Sequence, residues 1–444
     1  QSPLPRAPGA HVVTISGDKR ASEPGIAMNF RNPGQIVGVF GGPWAAYSTD
    51  SGRTFTLADG TQPAGWNGAG DVSVAFDDKG SAFLSYLTID KLGSSSYWAH
   101  GATRNGVWVR RSPDGGKTWD KEPVPVKVWP TGKEPGLQFE DMPRIWSDVS
   151  PKSPHRGNLY MGWIEWQLTQ SIMLFSRSTD GGKSWSPPAR ISTKAGLPRD
   201  DNGGLVGIIG VVGTDGAMYV IWNDASSIVF TSSRDGGKTF DPSRSVIPVG
   251  PPYFGGAGGG VPGVSRVMGF PQIGIDPRTG TLFATWSDYR NGDIDVFISR
   301  SADKGRTWTP AMRVNSDPIH NGNDQFFQWL AVDPLTRDVY VQFYDRRDDP
   351  ANRQTSVSLA RSTDGGKTFA NYAWSDEPFA GEAPFLGDYM WLTAYDGRVY
   401  GIWAEAAPLP ASATPAERRS SPTLMKVGTA DFRHDRGDGG RKKP

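Results

Sequence analysis

The sequence contains no cysteine, no long apolar run and no excess of charge of one sign, and each absence excludes a class of protein. Without cysteine the chain can form no disulfide, no thiolate metal site and no cysteine nucleophile. No stretch of about 18 apolar residues occurs, so we expect no membrane-spanning helix. Lys and Arg number 47 against 46 Asp and Glu, which leaves a formal net charge of +1. That charge is too small to hold a nucleic-acid backbone or an anionic membrane.

Glycine, proline and tryptophan are abundant instead. The chain has 56 Gly and 36 Pro among 444 residues, which indicates many turns and few long helices. Its 17 Trp favour a β-protein with a sugar-facing surface. The chain begins at Gln1 and has no Asn-x-Ser/Thr sequon. We therefore expect a secreted or periplasmic bacterial protein whose leader has been removed.

An eight-residue motif occurs six times, and we call each copy a box. The boxes read Ser-x-Asp-x-Gly-x-Thr/Ser-Phe/Trp and start between 55 and 68 residues apart. They span residues 48–55, 112–119, 178–185, 233–240, 301–308 and 362–369. A repeat of this kind indicates a repeat architecture. In each box the Asp can cap a turn, the Gly can take a positive φ, and the aromatic ring can fill the layer between sheets. We expect the boxes to be structural.

Short β-rich runs divide the chain into seven units, which begin near residues 23, 71, 141, 202, 270, 324 and 386. The last unit has no box, and residues 423–428 supply its third strand. Residues 11–16 supply its fourth strand, which closes the ring and removes exposed sheet edges. The sequence therefore predicts an all-β protein, a single seven-bladed β-propeller of four-stranded blades over residues 1–429. Six blades are the alternative, and residues 430–444 are predicted to form a disordered tail.

This topology separates the boxes from the expected site. The loops leading into the inner strands open on one face of the disc, and the boxes lie on the opposite face. Ligands usually bind where loops converge on the central channel. Acidic residues recur at that mouth, at the starts of inner strands and the ends of second strands. They are Glu23, Asp71, Asp141, Asp201, Asp324, Asp388, Glu165, Asp224, Asp288, Asp345 and Glu405. Crowded carboxylates raise one another's pKa, which can provide a neutral acid at neutral pH.

Other residues on that face break the repeat. They are Trp98 and His100 in the long loop 91–105, His320 before blade six, Tyr289 and Arg290 after strand two of blade five, and Arg346 and Arg347 after strand two of blade six. The Gly-rich loop 251–272, which includes Arg266, is a candidate lid. No His-x-x-x-His spacing occurs, so we expect no zinc site and no required cofactor. Carbonyls or acids near the channel could hold a structural calcium ion.

The boxes resemble the Asp-box, or BNR repeat, of the sialidase-like superfamily along nearly the whole chain. Sialidases use three arginines on the substrate carboxylate, a Tyr–Glu nucleophile pair and an Asp acid/base. The segment Tyr389-Met-Trp-Leu-Thr-Ala-Tyr-Asp-Gly397 is similar to the one that follows the sialidase nucleophilic tyrosine. The resemblance implies Tyr389 as nucleophile or stabiliser and Asp71 or Asp141 as acid/base. Phe30-Arg31-Asn32-Pro33 is similar in letters to the sialidase Phe/Tyr-Arg-Ile-Pro, but it follows the inner strand, on the box face.

Three functions remain open. The first is a secreted sialidase-like glycoside hydrolase that releases a terminal, acidic sugar. The second is a seven-bladed polysaccharide lyase that cuts a uronate-containing glycan, such as a rhamnose–glucuronate polymer, by β-elimination. The third is a non-catalytic propeller that binds glycan or protein. The candidate catalytic residues are Tyr389, Asp71, Asp141, His100 and His320. The candidate substrate-binding residues are Arg290, Arg346, Arg347, Tyr289, Trp98, Glu23 and Asp324. We expect a monomer with a glycan partner, no nucleic acid and no membrane insertion.

Overall fold

The computed structural model describes residues 3–17, 19, 22–61, 63–90, 104–130, 138–198, 203–250, 261–264, 266–380, 385–410, 412–414, 416–417 and 421–435. These residues form 29 β-strands, numbered β1 to β29 in chain order. Within these ranges, no helix has the length and apolar character needed to cross a membrane.

Strand β1 (His11–Thr14) is followed by seven groups of strands, one for each blade. Blade one contains β2 (Gly25–Met28), β3 (Ile36–Phe40), β4 (Trp44–Ser48) and β5 (Thr56–Leu57). Blade two contains β6 (Gly68–Phe76), β7 (Ala82–Ile89), β8 (Asn105–Ser112) and β9 (Val124–Trp129). Blade three contains β10 (Gln138–Ser147), β11 (Leu159–Gln167), β12 (Ser171–Ser178) and β13 (Ala189–Arg190). Blade four contains β14 (Val206–Val212), β15 (Met218–Asn223), β16 (Ser227–Ser233) and β17 (Arg244–Pro248).

The remaining blades follow the same order. Blade five contains β18 (Gln272–Ile275), β19 (Leu282–Asp288), β20 (Asp295–Ser301) and β21 (Met312–Arg313). Blade six contains β22 (Gln325–Val332), β23 (Val339–Asp345), β24 (Gln354–Ser362) and β25 (Ala370–Ala373), and the short β26 (Phe379–Ala380) pairs with β24. Blade seven contains β27 (Trp391–Tyr395), β28 (Arg398–Ala406) and β29 (Thr423–Asp431), with β1 as its outer strand.

The blades form a closed ring around a central channel. Their inner strands contact one another in the cyclic order β2, β6, β10, β14, β18, β22, β27 and β2 again. Strand β1 pairs with β29, with His11 opposite Thr429, so the two ends of the chain complete blade seven. The prediction of seven blades closed by the N-terminal strand is confirmed, and the six-bladed alternative is excluded.

The second strands are apolar because neighbouring blades cover both of their faces. Every residue of β19 and β23 is buried. Strands enclosed on both faces read as nearly continuous apolar runs rather than as alternating patterns. This burial explains why the second run of each unit was visible in the sequence.

The boxes form hydrogen-bonded turns, as the box of blade one shows. Gly52 N donates to Ser48 Oγ at 2.9 Å, and Thr54 N and Oγ1 donate to the two Asp50 oxygens at 3.0 and 2.7 Å. Ser51 N also donates to Gly34 O, which lies in the turn between β2 and β3. Boxes and inner-strand ends therefore share one face of the disc, which we call the box face.

The glycine at the fifth position of a box packs against the preceding blade. A Cβ on Gly52 would lie 2.8 Å from the Tyr400 ring of blade seven, and a Cβ on Gly305 would lie 2.2 Å from the Phe230 ring of blade four. Both glycines have positive φ, 77° and 83°, so glycine meets a conformational and a steric requirement at once. Each box thus joins two blades.

The propeller continues past the predicted end at residue 429. Strand β29 runs to Asp431, and Phe432 is fully buried between Tyr340 and Tyr372, with ring centroids 5.5 and 5.3 Å away. One buried aromatic ring anchors a segment whose composition is otherwise charged. The predicted tail is therefore wrong for residues 430–435, and residues 436–444 lie outside the described part of the chain.

We expect the substitution Asp50→Asn to destabilise the protein at neutral pH. The loss of stability should become smaller as the pH is lowered. Hydrogen bonds from the Thr54 side chain and N–H lower the pKa of Asp50 to about 2. The unfolded value is about 3.9, so the stabilisation is present above pH ~4 and is lost as the pH falls through about 2. Thermal unfolding of both proteins across this range measures the effect. The exposed Asp59→Asn is the control, and a difference in Tm that stays constant with pH would contradict the expectation.

Candidate active site

Seven equivalent positions surround the mouth of the channel. In each blade one inner-strand residue pairs near the middle of strand two, and the residue two places earlier lies at the mouth. The paired residues are Gly25, Ser73, Arg144, Ile209, Gln272, Trp329 and Trp391. The earlier positions, which we call rim positions, are Glu23, Asp71, Met142, Gly207, Phe270, Phe327 and Tyr389.

The backbone is strained at most rim positions. Glu23, Asp71, Met142 and Phe327 have φ between 48° and 52°, and the register of blades two, three, four and six shifts at this point. A non-glycine residue with positive φ costs on the order of 1–3 kcal/mol and persists only where the surrounding structure holds it. Bulges of this kind change the direction of a side chain at the end of a sheet.

The polar rim residues lie together. Glu23, Asp71 and Tyr389 belong to blades one, two and seven, which are consecutive in the ring, whereas the other rim residues are apolar or glycine. Tyr389 Oη donates to Asp71 Oδ1 at 3.4 Å. The Arg144 guanidinium lies 3.8 Å from the centroid of the Tyr389 ring, and both side chains are buried. The mouth therefore combines a tyrosine, a carboxyl group and a cation in direct contact.

Asp141 joins this group from blade three. Trp166 Nε1 donates to Asp141 Oδ2 at 2.8 Å, and Met142 N donates to Asp141 Oδ1 at 3.0 Å. Hydrogen bonds donated to a carboxylate favour its ionised form. These bonds fix the Asp141 carboxyl group beside Asp71, and its negative charge raises the pKa of Asp71.

Two acids of the mouth hold their protons more tightly than usual. Burial, followed by the negative charge of Asp141, raises the pKa of Asp71 to about 7. Burial, followed by the negative charges of Asp71 and Asp388, raises the pKa of Glu23 well above its usual range. Glu23 is nevertheless partly exposed at the mouth, so it can exchange a proton with a ligand. Burial also raises the pKa of Tyr389 well above 10, against the opposing charge of Arg144.

The loop that leads into blade five crosses the mouth to blade seven. Arg266 Nε donates to Asp388 Oδ1 at 2.7 Å, and the Arg266 guanidinium lies 5.0 Å from the Phe385 ring centroid. Arg346 Nη1 donates to Pro262 O at 2.9 Å, and Gln328 Nε2 donates to Phe270 O at 2.6 Å. The described part of this candidate lid is therefore fastened to blades six and seven.

A large cavity lies on the other side of the channel. Trp329 and Trp391 stack with ring centroids 4.0 Å apart at the level of Tyr389 and Arg144. Beyond them the channel widens to a cavity of about 630 Å³, which opens on the box face. Its lining is mostly apolar, and the charged side chains among its lining residues belong to turns of the box face. We place the candidate site at the mouth, because the reactive groups converge there.

The structure brings together Tyr389, Asp71, Asp141 and Glu23, but not the other predicted site residues. Arg290 binds Asp288 at 2.6 Å and Arg347 binds Asp345 at 2.6 Å, each on the carboxylate two residues before it. These arginines fold back on their own strand ends, so they support loops at blades five and six. The sequence predicted a substrate-binding cluster there because it does not show that each arginine forms an ion pair with the aspartate two residues before it.

The other predicted site residues also lie apart from this group or outside the described residues. Arg346 is buried and donates to Thr355 Oγ1 at 3.0 Å, and Asp324 is buried and accepts from Ile294 N at 2.9 Å. His320 is exposed, and its Nδ1 contacts Asn291 O. Tyr289 lies at the same blade-five edge. His100 and Trp98 lie outside the described residues.

Arg144 and Trp166 were not among the site residues predicted from the sequence. Arg144 occupies a paired position that is uncharged in every other blade, and this single charge within an inner apolar strand was the available signal. Trp166 could be recognised only from its contact with Asp141. Among the residues that the structure describes, no group of three or more His, Asp or Glu side chains is arranged to hold a metal ion. The calcium site near the channel stays a prediction.

No protein-family model and no curated protein sequence matches the chain. Solved chains that match its shape number 412, and three of them are described here. An ulvan polysaccharide lyase bound to -[GlcA(1-4)Rha3S]- has a TM-score of 0.54 and 10% identity, over 94% of this chain and 95% of that one. A Hadza microbial sialidase has a TM-score of 0.50 and 16% identity, over 90% of this chain and 74% of that one. A protein of unknown function from Dyadobacter fermentans has a TM-score of 0.50 and 16% identity, over 81% of this chain and 94% of that one.

These likenesses concern the fold. The chain has the sialidase-like propeller fold, which a hydrolase and a lyase share, and the resemblance is confirmed for the fold, whereas the identity of the boxes as Asp-boxes stays a prediction. Because the same fold carries different reactions, the reaction has to be argued from the groups at the mouth.

We expect Asp71→Asn to stabilise the protein at neutral pH. The Asp71 carboxyl titrates near 7 in the folded chain and near 3.9 in the unfolded chain. Between these two pH values, ionisation of Asp71 stabilises the unfolded state relative to the folded state as the pH rises. The free energy of unfolding of the wild type therefore falls. The advantage of Asp71→Asn should grow from pH ~4 to pH ~7 and then level off, at about 1–3 kcal/mol.

Urea unfolding at several pH values measures this difference. The exposed Asp59→Asn serves as the control and should show no such trend. Equal stability of Asp71→Asn and wild type throughout would show that Asp71 is not a protonated acid in the folded protein.

Proposed function

We propose that the protein is a retaining glycoside hydrolase with Tyr389 as its nucleophile. The observation that carries the proposal is the hydrogen bond from Tyr389 Oη to Asp71 Oδ1. A tyrosine whose pKa lies above 10 is a weak nucleophile until a neighbouring base removes its proton. Asp71 is placed to be that base, and its pKa of about 7 suits proton exchange near neutral pH.

The first half-reaction forms a glycosyl–tyrosine bond. Glu23 gives its proton to the glycosidic oxygen, and the bond from that oxygen to the anomeric carbon breaks. Tyr389 Oη bonds to the anomeric carbon while Asp71 takes the hydroxyl proton. Arg144 lies on the Tyr389 ring, where a cation stabilises the developing phenolate charge.

The second half-reaction restores the enzyme. Water attacks the anomeric carbon, and the Glu23 carboxylate takes the proton of that water. The bond to Tyr389 Oη breaks, and the phenolate takes back its proton from Asp71. The Asp141 carboxylate, positioned by hydrogen bonds from Trp166 and Met142, stabilises the positive charge that the sugar ring develops in both transition states. The proposal thus moves Glu23 from substrate binding to general acid/base, and Asp71 to base for the nucleophile.

The mouth favours a neutral terminal sugar over an acidic one. In the described residues, four carboxyl groups face two arginines there, and both arginines have partners within the chain. Arg144 lies against Tyr389 and Arg266 binds Asp388, so both arginines among the described residues of the mouth are already in contact with side chains of the protein. The loop fastened from blade five to blade seven narrows the mouth, which favours the end of a glycan over an internal sugar.

We expect Tyr389→Phe and Glu23→Gln to lower kcat at least about 100-fold. The assay uses 4-methylumbelliferyl glycosides of neutral and acidic sugars, together with polysaccharides monitored for unsaturated uronate. Glu23→Gln should lower kcat less for the aryl glycosides, because an aryl leaving group needs little protonation by a general acid. Azide, which needs no base, should restore turnover of Glu23→Gln and yield a glycosyl azide of retained configuration.

Tyr395→Phe is the matched control, because Tyr395 lies at the box-face end of β27, the strand that follows Tyr389. Full activity of Tyr389→Phe would overturn the nucleophile assignment. Unsaturated uronate as the product would replace hydrolysis by β-elimination. Release of acidic sugars alone would contradict the neutral substrate and leave the Tyr389 mechanism standing.

We expect kcat/KM to rise with pH through a limb near 7. Asp71 must be ionised to accept the Tyr389 proton, and its pKa is about 7. Since the charge of Asp141 helps to raise that pKa, Asp141→Asn should move the limb to lower pH. A profile of kcat/KM against pH for the two proteins measures the shift. A limb that stays in place would show that Asp71 is not the group that titrates.

A further inference from the structure

Blade two rises above the rim as a wall beside Glu23 and Asp71. Its inner strand continues beyond the rim position, with Gly68, Ala69 and Gly70 paired to Ile89, Thr88 and Leu87. These three residues are partly exposed, whereas the strand beyond Asp71 is buried. A Cβ on Gly70 would lie 3.7 Å from Glu23 Oε2. The strip 68–70 is therefore a surface almost without side chains that ends at the proposed acid.

An aromatic group stands at the far end of this strip. The Trp66 ring is partly exposed, and Trp108 contacts it in a T-shaped arrangement with centroids 5.8 Å apart. Trp108 is itself fixed, because its Nε1 donates to Thr88 Oγ1 at 2.8 Å. Trp66 is thus held in position before any ligand arrives.

Arg104 completes the group from the neighbouring loop. Its guanidinium lies 4.6 Å from the centroid of the Trp66 ring, and its side chain is exposed. In the described part of the chain no carboxylate forms an ion pair with Arg104. An exposed guanidinium that lies over an indole ring can donate its N–H groups to an anion.

We propose that Trp66 and Arg104 form a distal sugar subsite for an anionic residue, carboxylated or sulfated, of the same glycan. Three residues, 67–69, separate Trp66 from Gly70, and the strand begins at Gly68, so the span is at most about 13 Å, a distance that can hold more than one sugar unit before the scissile bond. The indole stacks on a sugar ring, and Arg104 binds the anionic group. The substrate is then a neutral sugar that caps an acidic glycan. This inference rests on the proposed function for its position relative to the scissile bond.

Binding to oligosaccharides, measured calorimetrically without turnover, tests the subsite. The probes are oligogalacturonate for carboxylates, a chondroitin sulfate oligosaccharide for sulfates, and a dextran oligosaccharide as the neutral comparison. The wild type should bind at least one anionic probe more tightly than dextran. Trp66→Ala and Arg104→Ala should weaken that binding about tenfold or more, with a smaller loss in Trp66→Phe and Arg104→Lys.

Arg278→Ala removes an exposed arginine on the box face and is the matched control. Equal affinity of wild type and both alanine variants, or no preference for either anionic probe, would overturn the subsite. Turnover of aryl glycosides by the wild type tests the proposed hydrolysis separately, because their aglycones are too short to reach Trp66. The two proposals can therefore fail independently.

Discussion

The contact between a box glycine and the preceding blade is the constraint on which the ring depends. A side chain at Gly305 would overlap the Phe230 ring, and one at Gly52 would overlap Tyr400. The glycine lets the turn approach the neighbouring sheet, and the Asp and Ser of the box hold that turn in shape. Because each of the six boxes packs its glycine against the preceding blade, the same contact sets the angle between neighbouring blades at six places in the ring. Phe432, packed on Tyr340, adds an aromatic contact between blades six and seven, where the motif is absent.

The mouth uses this rigidity to hold groups that would not stay together in a flexible chain. Glu23 and Asp71 adopt positive φ, and burial and mutual repulsion oppose their ionisation. Both effects destabilise the folded state locally. Strain and shifted pKa values of this kind concentrate at functional sites, where the surrounding structure bears the cost. The aspartates of the boxes show the opposite pattern, since hydrogen bonds within each box turn lower their pKa values.

The sequence was sufficient for the fold because the relevant information is local and repeated. A box, an inner run and a second run can be recognised in each unit, and closure by residues 11–16 follows from counting strands. The site could be predicted only in part. Asp71, Asp141 and Tyr389 were accessible through their repeat positions and the resemblance, whereas the contact of Arg144 with Tyr389 joins blades three and seven across the channel. Arg290 and Arg347 each pair with an aspartate two residues away and lie apart from the group at the mouth, a distance that the sequence could not show.

Blade seven is built from both ends of the propeller, and the proposed catalytic groups lie on either side of that seam. Tyr389 comes from blade seven and Glu23 from blade one, and a Cβ on Gly387 would lie 2.5 Å from Glu23 N. During synthesis the strand β1 leaves the ribosome long before its partner β29 exists. A chain that stops early would therefore hold six of the blades but neither the seam nor Tyr389 beside its base. Such an incomplete chain would lack the proposed site altogether. Activity at this site therefore requires that translation has reached the end of the propeller.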